Sequence, residues 1–377
     1  MPTRSADGRR RLAGRAQVVA RALFRRLGSG GRRARRLDPQ RILIAHHLLL
    51  GDTLMLTPLV AKLRERHPAA DLVMALPEAY APLYARAPYG LRAIGWDPLC
   101  PSASPLWRET GFDLALIPGD NRMSWLALAL GARWIVAFAG DRPASKSWPV
   151  DEAWRYPDRP AAWGDMLAGL IAGPPPAPYR PAAWAAPPVA TTTSLPEPPY
   201  AVLHVGASTP LKRWDPACWT QLAERLAAKG IAPVWSAGAE EAALVRACDP
   251  EARYRSLAGA LSLPQIWQLI AGAVALVSPD TGIAHLGRII GTPTVALFGP
   301  GSVTLTGAGA FWREVPYRGV SVEPFPCRDQ RTLFKREIAW VRRCERSPAE
   351  CPHPRCMDAI SVEAVAAALC ALGSDLA

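Results

Sequence analysis

The sequence predicts an α/β protein built as two halves, each with a parallel sheet covered by helices. Three observations lead there. Short apolar runs alternate with helix-like stretches from Arg41 onward, a proline-dense stretch interrupts the rhythm, and the rhythm restarts at Tyr200. A chain of 377 residues is long enough for two domains, each burying its own core.

In the first half, strands are expected at Ile42–Ala45 and Asp71–Leu76, with a helix over Leu59–Arg66 between them. Pro58 implies that this helix kinks or begins late. Further apolar runs follow at Leu91–Trp96, Asp113–Pro118 and Trp134–Ala139, and Trp125–Leu130 reads as helix. Between Gly173 and Pro199 the proline density excludes helix and central strand, so an interdomain linker is expected. In the second half, strands are expected at Tyr200–Val205, Ile231–Ala237, Ala273–Ser278 and Thr292–Pro300. Helices are expected at Pro216–Lys229, Glu240–Cys248 and Leu263–Ala271. The resulting plan is a basic tail (1–37), a first domain (38–172), a linker (173–199), a second domain (200–358) and a closing helix (359–377). Ligands of such sheets bind at the carboxyl ends of the strands.

Half of the residues are apolar and 20% are charged, as in a globular protein. No apolar run is long enough for a membrane span. The arginine-rich start lacks an apolar signal core, so secretion is not expected. Net charge is +12, and nearly all of it is local: residues 1–36 carry twelve arginines against one acid, Asp7. In that tail Leu12, Ala16, Val19, Leu23 and Leu27 recur at helical spacing, with Arg15, Arg21, Arg25 and Arg26 largely off the stripe. Three readings stand: an amphipathic helix on an anionic membrane surface, a solvated tail, or a nucleic-acid contact.

Asp280-Thr281-Gly282 closes a buried-type strand and opens Ile283-Ala284-His285-Leu286. A small-residue helix start above a strand end leaves amide N–H groups and the helix dipole aimed at an anion such as a diphosphate. His285 stays on the same side of that helix, as a phosphate donor or a packed histidine. Lys212-Arg213-Trp214 ends a short loop after the first strand of the second half, where its cations can neutralise phosphate and Ser208 and Thr209 add hydroxyls. Surface charge is the bland alternative. Glu240 and Glu241 follow Ser236-Ala237-Gly238, where a carboxylate can take a ribose hydroxyl or merely favour a helix start. In the first half, Leu50-Gly51-Asp52-Thr53 follows the first strand, making Asp52 either a general base or a plain helix N-cap. Cys327, Cys344, Cys351 and Cys356 cluster late with His353, but their spacing matches no standard zinc signature, so reduced thiols rather than a metal are expected. No P-loop, Gly-rich dinucleotide fingerprint, nucleophile elbow or zinc-protease motif occurs.

Together these segments resemble the glycosyltransferase family 9 heptosyltransferases. The matching stretches are Arg41-Ile42-Leu43-Ile44 through Gly51-Asp52 to Thr57-Pro58-Leu59, Val205-Gly206-Ala207-Ser208 through Lys212-Arg213-Trp214, and Ser278–Leu286 through Leu297-Phe298-Gly299-Pro300. The likeness covers roughly residues 40–370. It implies a GT-B fold, with two Rossmann-like domains whose parallel sheets face across a cleft. It also implies inverting transfer from ADP-heptose to a lipopolysaccharide-core acceptor, with no catalytic metal and no cofactor beyond the donor. By that resemblance Asp52 is the general base and Lys212 neutralises phosphate, with Ser208, Thr209 and Arg213 beside it. Asp280, Thr281, Gly282 and His285 form the donor loop, Leu261 lines the adenine and Glu240 contacts the ribose. The resemblance also implies work in the cytoplasm at the inner face of the bacterial inner membrane; residues 1–36 lie outside the likeness, and on the membrane reading of their own spacing they would touch that anionic surface. A related reading changes the nucleotide sugar or the acceptor. A non-enzymatic nucleic-acid-binding protein is the distant alternative, disfavoured because the basic charge stops where the fold starts.

Overall fold

The computed structural model describes residues 4–28, 34–99, 103–190 and 194–373. Arg32, Arg33 and Thr191–Thr193 lie outside them, as do the last four residues of the closing segment. The chain forms two compact units. The first comprises residues 1–158, 166–177 and 332–338; the second comprises 159–165, 178–331 and 339–377.

The first unit is a six-stranded, fully parallel sheet of β1 (Arg41–Ala45), β2 (Asp71–Leu76), β3 (Leu91–Gly95), β4 (Leu114–Ile117), β5 (Ile135–Phe138) and β6 (Glu152–Trp154). Their spatial order is β3-β2-β1-β4-β5-β6. Strand β1 is central because it is apolar on both faces: Ile42, Leu43 and Ile44 are all fully buried. Leu43 pairs with Val73 on one side and Ala115 on the other. The unit's helices are α1 (Arg4–Gly28), α2 (Leu50–Leu54), α3 (Thr57–Arg66) and α4 (Met123–Ala129). Pro58 sits in the first turn of α3, where its missing N–H costs nothing, so the helix starts at Thr57 without a kink. Residues 4–28 form one helix rather than an unstructured tail, and α1 packs on α4. Gly14 and Ala22 turn inward with Val18 beside them, while Leu12, Leu23 and Leu27 of the apolar stripe stay exposed.

The second unit repeats the plan with β7 (Tyr200–His204), β8 (Ala232–Ser236), β9 (Arg255–Ser256), β10 (Ala275–Pro279), β11 (Thr294–Leu297) and β12 (Tyr317–Val320). Their order is β12-β11-β10-β7-β8-β9, again all parallel. Helix α5 (Trp163–Ala168) begins among residues grouped with the second unit and ends among residues grouped with the first. The remaining helices are α6 (Pro216–Ala228), α7 (Ala242–Cys248), α8 (Leu263–Ala271), α9 (Gly282–Ile290), α10 (Val303–Thr306), α11 (Arg355–Asp358) and α12 (Val362–Cys370). In both sheets the first strand is central and the strand order reverses beside it, at β1/β4 and at β7/β10. Those two reversal points are where open α/β sheets hold ligands.

Among its described residues, the proline-rich stretch is held to the second unit at Tyr179 and Trp184. Tyr179 is buried and its hydroxyl donates to the Ile289 carbonyl at 2.8 Å, while Trp184 is buried against Trp267. A late segment also rejoins the first unit. The two-residue strands β13 (Thr332–Leu333) and β14 (Arg336–Glu337) pair antiparallel, and Arg336 donates to Asn121 Oδ1 at 2.8 Å and to the Ala139 carbonyl at 2.9 Å.

Within the first unit, Lys62 is buried on α3 and its ammonium donates to the carbonyls of Ala168, Ile171 and Gly173 at 2.9, 2.7 and 3.0 Å. That one cation pins the returning segment 166–177. Lys62→Met should lower unfolding stability by about 3 kcal/mol, because three carbonyls lose a charged donor. Urea midpoints of the two proteins check this; equal midpoints would mean the segment is held by packing alone.

Candidate active site

The site in the second unit is built from the loops that leave β7 and β10, on the two sides of its reversal point. After β7 the chain runs through Gly206 to a short 3-10 turn, Pro210–Lys212, capped by Thr209, whose Oγ1 accepts from the Leu211 amide at 3.4 Å. The turn carries Lys212 to the neighbouring strand end. Its ammonium donates to the Asp280 carbonyl oxygen at 2.7 Å and lies 3.3 Å from Asp280 Oδ2. An ammonium has three N–H donors, so one is left for a ligand.

Asp280 is buried and held from several sides. Thr306 Oγ1 donates to Oδ1 at 3.3 Å, and His285 Nε2 lies 3.8 Å from the same oxygen. Burial by itself pushes this carboxyl up, but Lys212, His285 and the two hydrogen bonds outweigh it and hold Asp280 below the usual carboxylate range. Gly301 is required here, since a Cβ at that position would fall 2.6 Å from Asp280 Oδ2.

Thr281 is the N-cap residue of α9, in extended conformation, and its side chain caps no helix amide. Its hydroxyl instead lies 3.1 Å from Ser278 Oγ. The first-turn amides of Gly282, Ile283 and Ala284 therefore have no side-chain cap, and the dipole of a nine-residue helix stands behind them. His285 is buried one turn in. Its Nδ1 lies 2.7 Å from an Arg288 nitrogen; because guanidinium can only donate, Nδ1 accepts and the ring proton sits on Nε2, toward Asp280. Burial, then the Arg288 charge, push the His285 pKa down to about 3, so the ring is neutral at neutral pH. Arg288 is itself fully buried, 3.8 Å from the Trp312 ring centroid and 5.1 Å from that of Tyr317, and it donates to the Gly307 carbonyl at 2.7 Å. Burial lowers its pKa only to about 10, so it remains a cation beneath the helix start. Sequence reasoning missed Arg288; its three-residue step from His285 was the available signal.

The rest of the predicted set lies around these loops. Ser208 is exposed, while Thr209 and Arg213 are half-buried. Arg213 Nε is buried with no hydrogen-bond partner among the described residues. Of the two adjacent acids, Glu241 turns inward and accepts from the amides of Ala207 at 3.0 Å and Gly238 at 2.8 Å, tying the β7 and β8 loops together. Gly206 leaves room for that carboxylate, which its Cβ would strike. Glu240 is the outward member of the pair. Leu261, half-buried, precedes α8, whose start is closed by a Ser262–Gln265 capping box.

Asp52 belongs to the first unit. It lies inside α2, in the first turn, and the N-cap position is Leu49, so the plain N-cap reading does not hold. The residue is half-buried on the carboxyl side of β1, beside that sheet's reversal point. Tyr80, which the sequence did not single out, hydrogen-bonds the Leu50 backbone; burial and the Asp52 charge both push its phenol up.

The four late cysteines line one cavity of about 130 Å³ together with His353, Arg346, Leu211 and Pro300. All four are free thiols, and burial raises Cys356 to about 11. Among the described residues no group of three His, Cys, Asp or Glu is placed to hold a metal, and no helix is long and apolar enough to cross a membrane.

His46 and His204 share the neutral, buried state of His285, with burial lowering them to about 3 and about 4. Below the unfolded value near 6.5 the unfolded chain binds protons that the folded chain refuses, so stability is full above that pH and declines as pH falls toward 4. Each histidine contributes a slope approaching ~1.4 kcal/mol per pH unit. Urea unfolding near pH 7 and near pH 5 should show the loss, and His285→Gln should remove one histidine's share. An unchanged slope in that variant would place the protonation elsewhere.

The profile of the family described as glycosyltransferase family 9 (heptosyltransferase) matches residues 108–335, more than half of the chain. Lipopolysaccharide heptosyltransferase 1 of Pseudomonas aeruginosa is 34% identical over 131 residues, covering 34% of this chain and 35% of that protein. The matched stretch thus spans about a third of the length of these curated relatives. In three dimensions the chain is similar to the E. coli ADP-heptose lipopolysaccharide heptosyltransferase II, with a TM-score of 0.65 at 20% identity, over 88% of this chain and 98% of the other. It is also similar to the E. coli heptosyltransferase WaaC solved with ADP, with a TM-score of 0.53 at 20% identity, over 70% and 88%. At such identities the likeness is one of fold, and the paired parallel sheets are those of the GT-B heptosyltransferases. By the profile match, the chain belongs to glycosyltransferase family 9, the heptosyltransferase family.

Proposed function

We propose that the protein transfers heptose from ADP-heptose to a glycan acceptor of lipopolysaccharide-core type, with inversion at the anomeric carbon. One observation carries the reading: a lysine ammonium with a donor to spare stands beside the uncapped start of α9, at the sheet's reversal point. The names of the similar proteins support it, one an ADP-heptose enzyme and another solved with ADP.

In this reading the ADP diphosphate lies over the amides of Gly282 and Ile283, with Lys212 on its flank and Ser208, Thr209 and Thr281 supplying hydroxyls. Arg213 adds a second cation, Leu261 packs on the adenine and Glu240 takes the ribose. Asp280 positions Lys212 and does not touch the phosphate, since two anions would repel. His285 is a neutral support. The acceptor oxygen attacks the anomeric carbon while the Asp52 carboxylate takes its proton. The bond from that carbon to the β-phosphate oxygen breaks, and ADP departs with the electron pair. Fixed positive potential at the leaving diphosphate is worth on the order of 3 kcal/mol per well-placed donor, and a general base about 10²–10⁴-fold. The acceptor is lipid-linked, which sets the reaction at the inner face of the cytoplasmic membrane.

Incubation with ADP-heptose and core glycans, read as ADP release, tests the reading. Asp52→Ala should lower turnover by about 10²–10⁴-fold while leaving thermal stabilisation by ADP intact. Lys212→Met should lower both turnover, by roughly 10²-fold, and the ADP shift. Turnover should persist in EDTA. ADP should stabilise the protein more than UDP or GDP; the opposite ranking would change the donor, and full turnover in Asp52→Ala would remove that residue as base.

A further inference from the structure

Helix α1 leaves an apolar face uncovered. Leu12 is 65% exposed, Phe24 78% and Leu27 84%, with Leu23 also exposed. At about 100° per residue, Leu12, Ala16, Leu23 and Leu27 share an arc of about 60°, and Ala20 and Phe24 widen it to about 120°. The opposite face is occupied: Gly14, Val18 and Ala22 are turned to the first unit, Arg21 stacks over Trp107 at 4.4 Å and Arg26 over Trp148 at 4.0 Å. Trp148 is itself 46% exposed and stacked on Trp125 at 5.2 Å. The helix is therefore fixed to the fold by one side while its apolar side points to solvent, bordered by arginines and an exposed indole.

We propose that this outward face docks the protein on the surface of an anionic phospholipid bilayer, with Phe24, Leu27, Leu23 and Leu12 entering the headgroup region. Two features select that occupant. No acidic residue occurs between Gly8 and Leu37, so the charge this segment carries beside the stripe has a single sign and complements phosphatidylglycerol-type headgroups. The cations come together with a large aliphatic and aromatic stripe, the pairing that an interfacial helix uses. Nucleic acid would use the arginines and leave the stripe unexplained. A second copy meeting the same face about a two-fold axis would bring like charges together. The helix α1 anchoring on α4 fixes the first unit relative to the bilayer, rather than tethering it by a loose tail.

The test uses the full chain and vesicles of phosphatidylcholine, alone or mixed equally with phosphatidylglycerol, read by co-sedimentation at low and high salt. The protein should pellet with the mixed vesicles only, and less so as salt rises. Phe24→Glu combined with Leu27→Glu should lower partitioning on the order of tenfold or more, and Arg15→Gln by about fivefold. Thermal midpoints and ADP stabilisation should not change, because Phe24 and Leu27 make little contact with the fold. The proposal fails if the wild type stays in solution with anionic vesicles, or if the double variant pellets as well as the wild type. It fails equally if the double variant alters only self-association, or if the only salt-sensitive ligand is an oligonucleotide. None of these readouts depends on turnover, so they are separable from the proposed transfer reaction.

Discussion

The second unit's site depends on one interaction, the clasp between Lys212 and Asp280. The two residues leave different strands, β7 and β10, which lie side by side although 68 positions separate the residues in the chain. A lysine on a solvent-facing loop would be mobile and hydrated. Anchored on a buried carboxylate and its own carbonyl, the ammonium has a fixed place with two donors used, and the charge is preorganised before any ligand arrives.

The surrounding residues can be understood as supports of that clasp. Thr306 and Gly301 shape the space around the Asp280 carboxylate, one with a hydrogen bond and the other by lacking a side chain. Arg288 fixes the His285 ring in the tautomer that presents Nε2–H toward Asp280, and the rings of Trp312 and Tyr317 hold Arg288 in turn. A buried guanidinium is costly unless its charge is compensated, and here aromatic faces and the Gly307 carbonyl compensate it in place of a carboxylate. On the other flank, Glu241 binds the Ala207 and Gly238 amides, fixing the loop that leads to Lys212.

Much of this was legible in the sequence because the central strands are continuous apolar runs between turns. β2 and α8 fall at the expected boundaries, and β1, β7 and β10 within a residue or two. The edge strands β6, β9 and β12 were not legible, being two to four residues long with mixed exposure. Asp280, Thr281, Gly282 and Lys212 were readable as types at strand ends, but their pairing is tertiary and no local pattern encodes it. Which of Glu240 and Glu241 turns inward is a one-residue question of register, below what spacing resolves. Residues 332–338 rejoin the first unit through Arg336, a contact with Asn121 across 215 positions that left no local trace. The tail's apolar spacing left helix and solvated tail both open; in the helix that forms, small residues, Gly14 and Ala22, allow the close approach to the fold, and the larger side chains stay outside.

A crystal structure with ADP bound measures the central claim most directly. The account predicts diphosphate oxygens within about 3 Å of Lys212 Nζ and of the first amides of α9, with Asp280 still clasping the lysine from behind. A diphosphate bound elsewhere, with Lys212 and those amides untouched, would contradict it.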